Sequence, residues 1–108
     1  MRRGRCITLS AAAAALLWTA SAAAAAPHTY TVVIDKMKFG PVPALLHKGD
    51  SIVWVNHDLF RHTATATDHS FDVDLQPNGK AKTVLNKAGT IAFVCRYHPG
   101  MRGTLHVQ

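Results

Sequence analysis

The last fourteen residues carry three side chains that bind soft metals, and these side chains are spaced three residues apart. Cys95, His98 and Met101 offer a thiolate, an imidazole and a thioether. Soft sulfur ligands together with imidazole select copper or zinc over hard cations such as magnesium and calcium. Because Pro99-Gly100 breaks any helix through this segment, we expect a tight loop that wraps three ligands around one metal ion.

A fourth ligand must come from elsewhere in the chain, and His62 is the candidate. Two histidines, one cysteine and a weak axial methionine form the constellation of blue-copper electron-transfer sites. His62 begins a segment rich in β-branched residues, directly after a loop that leaves an apolar strand, and Cys95 ends another predicted strand. Loops cluster at the two ends of a β-sandwich, so these strand ends can meet. We expect His62 to enter the site from the other sheet.

The fold that would position these ligands is predicted to be all-β. Short runs of apolar and β-branched residues alternate with turn residues, which favours a Greek-key two-sheet sandwich of about eight strands. The run 51–56 is apolar on both faces, so it should be a central strand. The predicted strands are 30–35, 44–47, 51–56, 62–67, 70–75, 80–85, 90–95 and 104–107.

Residues 1–24 are interpreted as a cleavable signal peptide. A positive start, Met1 to Arg5, precedes an Ala/Leu-rich apolar run and a stretch of small residues that offers cleavage after Ala24. The alternative, a membrane anchor, is less favoured because a span needs about 20 predominantly apolar residues. Residues 25–108 then form a single exported domain, which we expect in the periplasm, with no stable membrane insertion.

Charge and cysteine content narrow the function classes of the mature chain. Without Arg2, Arg3 and Arg5, nine of the 12 Lys and Arg residues remain, against six Asp and no Glu. These charges are scattered, so no nucleic-acid partner is expected. Cys95 is the single cysteine after residue 24. A free thiol in an oxidising compartment needs an explanation, and a metal bond would supply one.

Several motifs resemble the cupredoxin family of type 1 blue copper proteins, and within it the amicyanin/plastocyanin-like members. The most specific motif is Cys-x2-His-x2-Met followed by Arg102-Gly103. The others are Lys36-Met-Lys-Phe39, Lys48-Gly-Asp50, Ile52-Val-Trp-Val-Asn56 and Ala88-Gly-Thr90. The resemblance covers nearly all of the mature chain. It implies one type 1 copper ion, with His62, Cys95 and His98 as equatorial ligands and Met101 as the weak axial ligand. It also implies transfer of single electrons between exported redox partners.

The chain departs from the family pattern around the first histidine ligand and on the ligand loop. The family usually has proline before this histidine and asparagine after it, whereas this chain has Arg61 and Thr63. That asparagine ties the two ligand loops together, and a threonine hydroxyl can make a replacing hydrogen bond. Arg96-Tyr97 stands where small residues or proline are usual. We expect Arg61 and Arg96 to favour the reduced, less positive copper and so to raise the reduction potential.

Two other functions compete with electron transfer. A periplasmic copper carrier or copper-resistance protein would use the same ligands to hold the ion. A thiol hydrolase using Cys95 and His98 would be an enzyme, but it would leave Met101 without a role, so no enzyme is expected. For an electron carrier, Phe60 and Pro99 should form an exposed apolar rim around His98. Partner proteins would dock there on a monomer.

Overall fold

The computed structural model describes residues 3–4, 6–19 and 26–108. Residues 6–19 have no regular secondary structure, and all strands lie after residue 28. The predicted cleavage point after Ala24 lies outside the described residues, so the signal peptide stays a prediction. Within the described ranges, no helix has the length and apolar character that crossing a membrane would need.

Eight strands form the domain, as the sequence pattern predicted. They run between turns rich in Gly, Asn and Pro, such as Gln76 to Gly79, where Asn78 has a φ of 63°. Their bounds are β1 Thr29–Asp35, β2 Lys38–Phe39, β3 Ser51–Asn56, β4 His62–Ala66, β5 Asp72–Leu75, β6 Lys80–Val84, β7 Gly89–Val94 and β8 Arg102–Val107.

The strands pack as two four-stranded sheets. One sheet has the order β2-β1-β3-β6 and the other the order β5-β4-β7-β8. β1 and β3 are parallel, while the other strand pairs are antiparallel. The connections β3–β4, β5–β6 and β6–β7 pass from one sheet to the other, which gives the Greek-key sandwich. The predicted central strand 51–56 is β3, an interior strand of its sheet.

Aromatic side chains fill the space between the sheets. Trp54 and Phe93 are fully buried, and their ring centroids lie 5.2 Å apart in an edge-to-face arrangement. Phe39 approaches Phe93 in the same way at 4.8 Å. Such pairs contribute beyond the apolar area that they bury. The indole nitrogen of Trp54 donates to the hydroxyl of Thr83 at 3.0 Å, so the one polar atom of this ring is satisfied.

One predicted strand, Ala44 to His47, is wrong. Leu46 alone forms a bridge here, parallel to Val107. Its amide donates to the carbonyl of His106 at 2.8 Å, and its carbonyl accepts from the amide of Gln108 at 2.8 Å. Prolines at 41 and 43 and the turn at 48–49 leave too few residues in extended conformation to continue the pairing. The eighth strand is instead the short β2.

The position of His62 relative to the sheets was also predicted wrongly. His62 begins β4 and Cys95 follows β7, and these two strands are neighbours in one sheet. Their antiparallel register pairs Thr65 with Val94 and Ala66 with Phe93. The start of β4 and the end of β7 therefore lie side by side, and the predicted ligands meet at one end of a single sheet rather than across the sandwich.

Gly103 allows the close packing that fixes β8 against β7. A Cβ atom at Gly103 would overlap the ring of Phe93, its partner in the strand register. We therefore expect Gly103→Ala to lower the free energy of unfolding by about 1–3 kcal/mol, the usual cost of overpacking. Gly100→Ala is the matched control, because a Cβ atom there meets nothing within 4 Å. Chemical denaturation of both variants checks this, and equal losses of stability would contradict it.

Candidate metal centre

Three of the four predicted ligands come together at one end of the sandwich. The donor atoms of His62, Cys95 and His98 all lie within 4.8 Å of one another. His62 and Cys95 are fully buried, and His98 is half-buried. No other cluster of three or more His, Cys, Asp or Glu side chains with this spacing occurs among the residues that the structure describes.

The spacing of the donors matches a shared metal ion. The Cys95 sulfur lies 3.8 Å from Nδ1 of His62 and 3.7 Å from Nδ1 of His98. Bonds of about 2.0 Å to nitrogen and about 2.3 Å to sulfur, at a trigonal angle, would separate such donors by about 3.7 Å. The two imidazole rings meet edge-to-face, with centroids 5.0 Å apart. The donor set therefore fits a small, soft or borderline metal ion.

Met101 lies buried at the end of the same loop. The loop is closed by two backbone hydrogen bonds, because the Cys95 amide donates to the Met101 carbonyl at 3.0 Å and the Met101 amide donates to the His98 carbonyl at 2.8 Å. These bonds keep all three loop residues at the end of the sheet where β7 leads into β8.

A carboxylate behind His62 selects which ring nitrogen faces the site. Nε2 of His62 lies 2.7 Å from Oδ2 of Asp58, which leaves Nδ1 directed at Cys95. Asp58 also accepts the amides of Lys36 at 2.7 Å and Met37 at 2.9 Å, in the turn between β1 and β2. Burial alone would raise the pKa of Asp58, but these hydrogen bonds lower it overall. Asp58 thus stays an anion and orients the imidazole.

The sequence did not predict the contact of Asp58 with His62 or the support that Asn56 gives to Asp58. Asn56 is fully buried, and its side chain donates to the carbonyls of Phe60 at 2.7 Å and Leu75 at 3.0 Å. Its Oδ1 accepts the Asp58 amide at 2.8 Å. The signal that could have revealed Asp58 is its position four residues before His62, since metal-binding histidines commonly donate their second N–H to a carboxylate.

The Thr63 hydroxyl forms a hydrogen bond between the two ligand segments, as expected from the sequence. Its Oγ1 accepts the Arg96 amide at 2.8 Å, which joins the residue after His62 to the residue after Cys95. The Thr63 amide donates to the Cys95 sulfur at 3.4 Å. The replacement of the family's usual asparagine therefore preserves a direct connection.

Arg61 and Arg96, the two arginines expected to act on the copper, are each paired with a carboxylate. Arg61 forms a two-point contact with Asp74, and Nε of Arg96 lies 3.3 Å from Oδ1 of Asp72. Hydrogen bonding from Arg61 lowers the pKa of Asp74, which keeps this partner ionised. The net charge that the two arginines bring to the site is accordingly small. The predicted rise in reduction potential should be modest, and it stays a prediction.

The exposed apolar rim expected around His98 is present. Phe60 is 59% exposed, and its ring centroid lies 6.4 Å from that of His98. Pro99 is exposed next to it, and Leu59 and Tyr97 extend the apolar surface. His98 is therefore the donor nearest to solvent, beside exposed apolar side chains.

Asp58 provides a test of the orienting contact. We expect Asp58→Ala to weaken binding of copper or zinc by about 10- to 100-fold, because His62 loses the partner that fixes its tautomer. Competition with a chelator of known affinity measures this. Asp68→Ala is the matched control, since Asp68 pairs with Lys87 at the surface. Unchanged metal affinity in Asp58→Ala would contradict an orienting role.

Thr63 provides a test of the link between the ligand segments. Thr63→Val keeps the shape of the side chain but leaves the Arg96 amide without its acceptor. This should lower the free energy of unfolding of the metal-free protein by roughly 1–3 kcal/mol. Thr63→Ser keeps the hydroxyl and should recover most of the loss. If the valine variant unfolds at the same denaturant concentration as the wild type, the link is unimportant.

Comparisons with known proteins agree with this fold and donor set. A family model for the cupredoxin-like domain matches residues 7–107. Amicyanin from Paracoccus versutus is 29% identical over 83 residues, which are 71% of this chain and 63% of that protein. The chain thus spans less than two thirds of the length of this curated relative.

Solved structures of amicyanin share the fold. One methionine-to-alanine mutant in the Cu(I) form has a TM-score of 0.65 at 22% identity, covering 74% of this chain and 82% of that chain. A second such mutant, also in the Cu(I) form, has a TM-score of 0.66 at 23% identity, covering 78% and 86%. Copper fits the donor set of this chain and is present in both of these amicyanin structures. The chain belongs to the family of cupredoxin-like domains.

Proposed function

We propose that this chain is an exported copper protein that transfers single electrons between redox partners. Its equatorial ligands are His62, Cys95 and His98, and its weak axial ligand is Met101. When bound, copper supplies a one-electron couple between Cu(I) and Cu(II). The observation that carries the proposal is the cluster of two imidazole nitrogens and one sulfur in a largely buried site, with the sulfur 3.7–3.8 Å from each nitrogen.

The protein's own residues supply what such a couple requires. Fast electron transfer needs a site that changes little between oxidation states. Asp58 holds His62, the Thr63 amide holds the Cys95 sulfur, and backbone hydrogen bonds close the loop that carries His98. A thiolate and a thioether suit Cu(I), while imidazoles suit Cu(II). This mixed set of donors, fixed by hydrogen bonds, favours both states with little rearrangement.

The surface around His98 supports docking of a partner protein. Phe60 and Pro99 are exposed beside the half-buried imidazole, so a partner can approach the site through apolar contacts. Electron-transfer encounters are typically small and transient. We propose that exported redox partners dock here on a monomer, in the periplasm, after removal of residues 1–24.

An enzymatic function has less support. Cys95 is fully buried and its sulfur accepts the Thr63 amide. A nucleophile needs access to its substrate, and reactive cysteines are partially exposed. We therefore do not propose a thiol hydrolase.

The decisive experiment uses the full chain, expressed in a bacterial host and recovered from the periplasm. We expect a mass that corresponds to residues 25–108, intense visible absorption of the Cu(II) form, a type 1 EPR spectrum and reversible voltammetry. Cys95→Ser should lose the colour because the thiolate is its source. Cys6→Ser is the control and should keep the colour, because Cys6 lies in the predicted signal peptide.

The outcomes separate the candidate functions. Reversible cycling with fast self-exchange supports the electron carrier. Tight Cu(I) binding without reversible cycling would favour the copper carrier instead. Intense colour in Cys95→Ser would show that the ligand assignment is wrong, and a chain recovered uncut in the cytoplasm would overturn export.

A further inference from the structure

The residues that depart from the family pattern near the ligands contact one another. The guanidinium carbon of Arg61 lies 5.0 Å from the ring centroid of Tyr97, and that of Arg96 lies 5.7 Å from it. Tyr97 stands between Cys95 and His98 in the chain, so both arginines contact the ligand loop itself. A cation over the face of an aromatic ring is attracted to it.

Both arginines are anchored on the edge strand β5. Arg61 donates to the two carboxylate oxygens of Asp74, with Nε at 2.8 Å from Oδ1. Nε of Arg96 lies 3.3 Å from Asp72. Asp72 and Asp74 are two residues apart on a strand, so they project from the same face. A single exposed ion pair contributes little, but a two-point arginine contact fixes orientation, and Tyr97 couples both pairs.

The hydroxyl groups of Thr63 and Thr65 on β4 complete this network. Thr63 accepts the Arg96 amide at 2.8 Å and lies 2.9 Å from the hydroxyl of Thr65, which donates to Asp72 at 2.7 Å. Arg96 is therefore connected to Asp72 twice, through its backbone amide by way of the two threonine hydroxyls and directly through its guanidinium. The residue after Cys95 is held at two points, and it cannot move away from β4 and β5 without breaking several contacts.

We propose that Arg61, Asp74, Arg96, Asp72 and Tyr97 form a clasp that holds the ligand loop in its metal-binding conformation before a metal ion arrives. These five are positioning residues, because they act through the loop. The inference rests on the proposed function in one respect, namely that the loop carries three of the four ligands. A loop shaped in advance reduces the ordering cost of binding and the rearrangement between copper states.

The metal-free protein provides the first test. In Tyr97→Leu both contacts to the arginines are lost, so hydrogen exchange of the loop amides at residues 96–98, 100 and 101 and alkylation of Cys95 should be about 5- to 30-fold faster. Tyr97→Phe retains the ring and should behave like the wild type. Lys87→Gln is the control, because it breaks the exposed pair with Asp68 and should leave both rates unchanged. Unchanged rates in Tyr97→Leu would overturn the clasp.

A double-mutant cycle tests whether the parts act as one unit. Arg61→Gln and Tyr97→Leu should each increase the exchange rates, and the double variant should be little faster than the faster single variant, because both remove the same contact. If the rate increases of the two single variants multiply in the double variant, the proposal is overturned.

Failure of the clasp is distinguishable from failure of the proposed function. Exchange and alkylation rates in the metal-free chain need no copper chemistry, so they decide the clasp even for a protein that proves to be a copper carrier. An intensely coloured, reversibly cycling protein with unaltered rates in Tyr97→Leu would overturn the clasp and leave electron transfer standing.

Discussion

The antiparallel pairing of β4 with β7 is the constraint on which the metal centre depends. It places the first residues of β4 beside the residues that follow β7, so His62 and Thr63 meet Cys95 and Arg96 at one end of a single sheet. A shift of one residue along either strand would turn His62 to the other face of the sheet. Buried apolar side chains on both strands resist such a shift, and the geometry of the donors follows from the packing of the core.

The hydrophobic core and the site are linked through Phe93. Its ring occupies the space above Gly103 and packs against Trp54 and Phe39. This contact fixes β8 against β7, and the two strands in turn set where the ligand loop begins and ends. A stable aromatic cluster therefore also stabilises the start and the end of the ligand loop.

Local patterns in the sequence predicted most of the strands, whereas contacts between distant residues had to be observed. Alternation and turn residues identified seven of the eight strands. Spacing singled out Cys95, His98 and Met101 as candidate ligands, of which the structure places Cys95 and His98 beside His62. The wrong strand at 44–47 followed from an apolar run whose flanking prolines prevent extended pairing. The sheet that contains His62 could not be derived, because strand order depends on packing of the whole chain. Asp58 was missed because it acts through His62 rather than as a ligand.

The clasp limits how far the ligand loop is a self-contained module. Residues 95–101 appear in the chain as a short, separable motif, yet their support comes from Arg61 before β4 and from two aspartates on β5. A designer who transplanted this loop alone into another cupredoxin would carry the ligands but leave Arg96 and Tyr97 without their partners. The portable unit is a discontinuous patch of three segments, namely the loop itself, the residue before β4 and the edge strand β5.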